Sequence, residues 1–189
     1  MRRAGKLRTE NPAASKGRGQ ALAEFAISFG IFMLVVGAVI QLGLLVWTTN
    51  SLHQVARDTA RWAATQPSAP CDSAGNRTAI AGKAEALARQ WGLMGHQNGT
   101  WTNATNFSSM TSNSVGVEWT GPTTFLTDCP PSDNQTAWFV RVRINHIVPV
   151  FIPGVQTILG FVGVLDKTCG ASGFCITTTT EQRMEPKAP

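Results

Sequence analysis

The sequence predicts an α+β protein: a long N-terminal helix that spans a membrane and continues as a spine, a second helix, and a small antiparallel sheet. Three observations carry this. Residues 25–47 form a run of 23 residues without a charge. Helical spacing of apolar residues then continues through Leu52, Val55, Ala56, Thr59, Ala60 and Ala63. Late in the chain, Trp138, Val140, Val142 and Ile144 alternate with Phe139, Arg141, Arg143 and Asn145, the period of a strand with one buried face.

The apolar run is the first element. At about 1.5 Å per residue it gives roughly 35 Å of helix, enough to cross a hydrocarbon core of about 30 Å. Its only strongly polar residues are Ser28 and Gln41. A secretory signal has a shorter apolar region, about 7–15 residues, and a small-residue cleavage site after it. Here a helical pattern follows instead, with Gln54, Arg57, Asp58 and Arg61 on the polar face. One helix is expected from about Ala21 to near Thr65, ended by Pro67 and Pro70.

Charge divides the chain sharply. The formal net charge is +5 over 189 residues. Residues 1–19 hold Arg2, Arg3, Lys6, Arg8, Lys16 and Arg18 against Glu10, so this leader carries all of the excess, and residues 20–189 are formally neutral. That excludes a basic nucleic-acid footprint on the folded part. The leader has no apolar period and reads as disordered through residue 18. By the positive-inside rule it lies in the cytoplasm, with residues 48–189 on the other side.

A turn-rich link follows at 67–76. A second helix is expected over 76–94, with Ile80, Ala84, Leu87, Ala88 and Trp91 on one stripe and Gly92 and Gly95 at its end. Residues 96–113, rich in Asn, Thr, Ser and Gly, read as a loop. Val115, Val117 and Trp119 read as a strand. Residues 149–165 are apolar but hold three glycines and two prolines, and read as an amphipathic helix or surface-apposed loop rather than a second span. Ile176 to Thr180 is the expected final strand, followed by a polar tail.

Cys71, Cys129, Cys169 and Cys175 all fall beyond the apolar run. An even count in an oxidising compartment favours disulfides, and four cysteines allow three pairings. The preferred pairs are Cys169–Cys175, closing a short loop with Gly170 and Gly173, and Cys71–Cys129. A zinc site is disfavoured because there is no CxxC and no nearby Cys/His cluster. No phosphate-binding loop, GxSxG, HExxH or paired-carboxylate pattern occurs. His53, His96 and His146 sit in unrelated expected elements. The reading is of a non-enzymatic protein with no metal or other cofactor.

Glu24 is the exception to this quiet chemistry, because a charge at the mouth of a membrane helix is costly. The stretch Arg18-Gly19-Gln20-Ala21-Leu22-Ala23-Glu24-Phe25 places a glycine five residues before it. Cleavage after Gly19 would make Glu24 the fifth residue of a mature chain. The new α-amine on Gln20 would lie one helical turn away, since residues i and i+4 share a face. The carboxylate would then pair with that amine or with a neighbouring subunit's, setting an axial register in a low-dielectric bundle. Ala26, Gly30 and Gly37 would let adjacent helices approach.

This stretch resembles the processing motif of type IVb pilins: glycine, four residues, then Glu followed by Phe or Tyr. The whole chain most resembles the TadE-like minor pilins, or pseudopilins, of tight-adherence (Tad/Flp) pilus systems. Arg57-Asp58-Thr59-Ala60-Arg61-Trp62-Ala63-Ala64 is similar to the family's Ala/Arg-rich helix after the membrane segment, and the late strand and closing residues fit its C-terminal end. The resemblance implies a basic leader over 1–19, a transmembrane helix over 20–47 and a periplasmic or extracellular pilin-like domain over 48–189. It implies cleavage between Gly19 and Gln20 by a prepilin peptidase, in a single-pass protein of the bacterial inner membrane that either stays there or is incorporated into a pilus. The implied partners are that peptidase, other Tad pilins and pseudopilins, the inner-membrane assembly platform and membrane lipid. The alternative from another class is an uncleaved signal-anchor protein whose exported domain binds a ligand.

Overall fold

The structure, a computed structural model, describes residues 13–65, 74–96, 100–121, 138–151 and 173–184. The chain divides into two compact units, the first ending at Ile40 and the second beginning at Gln41.

Helix α1 runs unbroken over Ala13–Thr65. It starts eight residues before the expected Ala21, inside the leader that was expected to be disordered. Pro12 stands immediately before it, where proline's fixed φ favours a helix start. Ala13 and Ala14, both strong helix formers, open it, and the helix runs on through Gly17 and Gly19. The first unit contains the helix up to Ile40, and its large apolar side chains from Leu22 to Ile40 are exposed.

In the second unit, Leu52, Val55, Ala56, Thr59, Ala60 and Ala63 of α1 are fully buried, as the helical spacing predicts. Helix α2, Ala74–Gln90, adds Ile80, Ala81, Ala84 and Ala88 to the same core. It starts two residues before the expected bound and ends four before it. The end is a Schellman turn: Gly92 at φ +59° donates to Arg89 O, and Leu93 donates to Ala88 O. Trp91 falls beyond the helix and is exposed, so it leaves the stripe assigned to it.

The sheet has order β1-β2-β3-β4, from β1 (Thr102–Ala104), β2 (Ser114–Thr120), β3 (Phe139–Pro149) and β4 (Gly173–Arg183). Strands β2, β3 and β4 are antiparallel, but β1 pairs parallel to β2, so the sheet is mixed rather than antiparallel. The 96–113 segment expected as a loop contains β1 and a 3-10 turn, Phe107–Ser109. That turn, capped by Asn106, and Asn113 at φ 54° bring the chain back in a short crossover. A strand of three residues needs no more. Strand β4 extends to Arg183 and takes in the start of the expected polar tail, because Glu181 pairs with Arg141 across the ladder.

Trp138, Val140, Val142 and Ile144 are buried against the helices, confirming the strand alternation. The opposite face of β2 is covered locally. A Cβ on Gly116 would meet Met110 Sδ at 2.8 Å and Phe107 at 3.0 Å, so glycine there admits the 3-10 turn onto the sheet. Arg143, opposite Gly116 in register, lies 4.2 Å from the Phe107 ring centroid.

Two contacts set how β3 and β4 run beside α1. Gln41 binds the end of β3 at Pro149, and His53 Nδ1 meets Thr178 Oγ1 at 2.6 Å, where Thr178 pairs with Ile144. From Gln41 to His53 the helix rises about 18 Å. From Pro149 to Ile144 the strand covers about 17 Å. The two elements therefore keep pace, running in opposite directions.

Gly95 locks this end of the sheet. Its φ is +86°, and a Cβ would stand 2.9 Å from Pro149 Cδ and 3.0 Å from Ile147 O. Gly95→Ala is expected to destabilise the second unit by about 1–3 kcal/mol, through left-handed strain and the clash together. Chemical denaturation of the purified protein measures it.

Most of 149–165 lies outside the described residues, as do Cys71, Cys129 and Cys169 and the prolines at 67 and 70. Cys175, early in β4, is disulfide-bonded to a partner outside the described residues.

Candidate processing and assembly segment

At the N-terminal part of α1, Gln20 and Glu24 share a helix face, and Gln20 Nε2 donates to Glu24 Oε1 at 3.1 Å. Cleavage would place the new amine on this same Gln20. Phe25 follows, with its ring stacked on Phe29 at 5.7 Å between centroids. Phe25 and Ala26 are exposed, and Gly37 is half-buried. A Cβ on Gly19 or Gly30 would meet nothing within 4 Å. Glycine in a helix interior costs about 1 kcal/mol relative to Ala. Among the described residues no packing at Gly19 or Gly30 repays that cost.

A second cluster was not legible in the sequence. His96 and His146, from segments assigned to unrelated elements, come together with Trp101. The His96 ring lies 4.4 Å from Trp101 and 6.1 Å from His146. His146 is fully buried, its ring 5.8 Å from Trp101. Its Nε2 lies 2.7 Å from Met94 O, and its Nδ1 accepts from Trp101 Nε1 at 3.3 Å. This pattern demands the neutral Nε2–H tautomer, because a proton on Nδ1 would face the indole N–H. Burial pushes the pKa of both histidines below the ordinary value. For His96, nearby Glu85 opposes the shift and Arg89 adds to it. For His146, the Met94 carbonyl opposes it and His96 adds to it. Nε2 of His96 is buried and has no hydrogen-bond partner among the described residues. Among those residues no three His, Cys, Asp or Glu side chains are grouped to hold a metal ion.

The cluster predicts acid sensitivity. Both histidines bind protons less readily folded than unfolded, where the pKa is about 6.5. Their contribution to stability is present above that value and is lost as pH falls through it toward the folded pKa. The melting temperature should therefore drop on acidification from about pH 7.5 to about pH 5.5. His96→Phe keeps the ring stack, removes the unpaired nitrogen and should flatten this slope without loss at neutral pH. Thermal melts of both proteins across that range test it.

Gln41 is the other residue whose role the structure supplies. It is only 2% exposed, and both ends of its amide are used: Nε2 donates to Pro149 O at 3.3 Å, and Oε1 accepts from Phe151 N at 3.2 Å. Its signal in the sequence was a strongly polar residue inside an apolar run.

Among the described residues one helix is long and apolar enough to cross a membrane, over Gly19–Thr65, and helix α2 and the four-stranded sheet follow it. The class this defines is a chain with one candidate membrane helix and an α+β unit after it. Residues 19–61 match the family described as TadE-like protein, so the resemblance is shown over that stretch. The match starts at Gly19 and ends at Arg61 inside α1. No curated protein and no solved structure matches the chain.

Proposed function

We propose that this chain is a minor pilin or pseudopilin of a Tad/Flp pilus, matured by a prepilin peptidase and used in pilus assembly and surface adherence. The observation that carries the reading is the TadE-like match beginning at Gly19, with Glu24 five residues on at the head of an exposed apolar helix. In the maturation step, water adds across the Gly19–Gln20 peptide bond, leaving a carboxylate on Gly19 and an amine on Gln20. The helix must open there for the bond to reach a peptidase, and glycine lowers the cost of opening.

Cleavage also changes how the helix is held. The leader's six basic residues keep the N-terminus cytoplasmic. Their removal leaves the Gln20 amine and the Glu24 carboxylate as a nearly neutral pair. A chain freed of its basic anchor can move along the membrane normal into a growing assembly. Ala26, Gly30 and Gly37 then admit neighbouring subunits, and Glu24 sets their register. Beyond the membrane, Cys169–Cys175 and Cys71–Cys129 are the proposed disulfides of the periplasmic domain. The partners are the peptidase, the other Tad pilins and pseudopilins, and the inner-membrane assembly platform.

Sequencing the N-terminus of the protein recovered from its own cells tests the reading. A start at Gln20, with co-purified pilins, is the expected result. A start at Met1 with no pilins recovered would favour the uncleaved signal-anchor protein.

A further inference from the structure

Gln41 lies inside the apolar run, six residues before its end at Trp47, yet it holds the backbone at the end of β3. The helix is therefore still apolar where the α+β unit begins. On its outward side Leu42, Val46 and Trp47 are exposed, while Gln41 and Thr48 are buried on the inward side. Beside the buried amide stands Phe151, 63% exposed. We propose that the Pro149–Phe151 corner is a lipid-contacting surface, seated in the interfacial layer of the bilayer that α1 spans, with Phe151 inserted among the acyl chains. The proposal rests on the membrane-spanning reading of α1.

Length supports this placement. Counted from Phe25, the first residue after Glu24, the seventeen residues to Gln41 rise about 25 Å, so Gln41 stands within the last turn of a hydrocarbon core of about 30 Å. Trp47 then stands about 9 Å further along, in the headgroup layer where tryptophan is enriched. The corner clamped to Gln41 is thus level with the edge of the hydrocarbon.

Polar satisfaction supports it independently. Backbone that is neither helix nor closed sheet is tolerated at such a depth only when its polar groups are paired within the protein. Here one amide pairs both the Pro149 carbonyl and the Phe151 N–H, and is itself satisfied by them.

The test uses the full-length protein in native membranes, with p-benzoylphenylalanine placed singly at three exposed positions and activated by light. Position 151 probes the corner. Position 31, where Ile31 is exposed on the apolar run, probes the span itself. Position 183, where Arg183 pairs with Phe139 at the far end of the β3–β4 ladder, lies ten residues along β3 from Pro149, about 34 Å. The expected result is a phospholipid adduct at 31 and 151 and none at 183. An adduct at 31 without one at 151 overturns the interfacial seat while leaving the span intact. A protein adduct alone at 151, from a second copy or another subunit, overturns it as well, as does an equal lipid adduct at 183. Absence of lipid at 31 removes the span and the inference with it. Gln41→Leu should lower the lipid adduct at 151 and leave that at 31 unchanged.

Discussion

Gly19→Val is expected to stop maturation outright, leaving a precursor that migrates more slowly and begins at Met1. The substitution is clean in this structure, because a Cβ at residue 19 meets nothing within 4 Å. Valine also forms helix more readily than glycine, so α1 is not weakened by the change. Loss of processing would then come from the encounter with the peptidase. A branched side chain beside the scissile bond keeps the two backbones apart, and a stiffer helix is harder to open. Gly19→Ala adds one methyl group and should slow cleavage rather than abolish it. Co-expression with a prepilin peptidase, followed by gel shift and N-terminal sequencing, measures both. Normal cleavage of the valine variant would show that the peptidase does not read Gly19, and an unsubstituted chain still beginning at Met1 would sink the processing reading.

Glu24→Gln separates assembly from cleavage. Gln20 and Glu24 already share a face, and an amide at residue 24 retains an acceptor for Gln20 Nε2. The local helix should therefore persist, and cleavage after Gly19 should proceed. What the variant loses is the negative charge that would answer an amine, either its own or a neighbour's. In the low dielectric of packed membrane helices an unanswered ammonium costs several kcal/mol, enough to exclude the subunit from an assembly. The expected outcome is a processed protein that no longer co-purifies with partner pilins. Recovery of the usual complex would show that Glu24 does not set the register.

Legibility in the sequence differed from element to element. Period was read well: the six α1 positions from Leu52 to Ala63 are fully buried, and so are Val140, Val142 and Ile144 on β3. Both patterns repeat one decision, which face meets the core, over many residues. Single residues were read less well. α1 begins at Ala13, earlier than the coil-like leader suggests, and the polar stretch before β2 hides a three-residue strand too short to show a period. Gly19, Gln20, Glu24 and Phe25 stand out in the sequence as a candidate segment because they are consecutive or nearly so on one helix. The His96–Trp101–His146 cluster was not, because its members meet only after β1, β2 and β3 have paired.

The sequence by itself determined the fold class and the candidate membrane helix: an uncharged run long enough for a bilayer, a basic segment before it, and an α+β chain after it. Only the tertiary structure decided that β1 runs parallel to β2, that two histidines share a buried site with Trp101, and that Gln41 spends its amide on a strand end 108 residues away. Hydropathy period states that a face must be buried without naming what buries it. Hydrogen bonds such as Gln41 to Pro149 and Phe151 are specified by position in space, where sequence separation leaves no local trace.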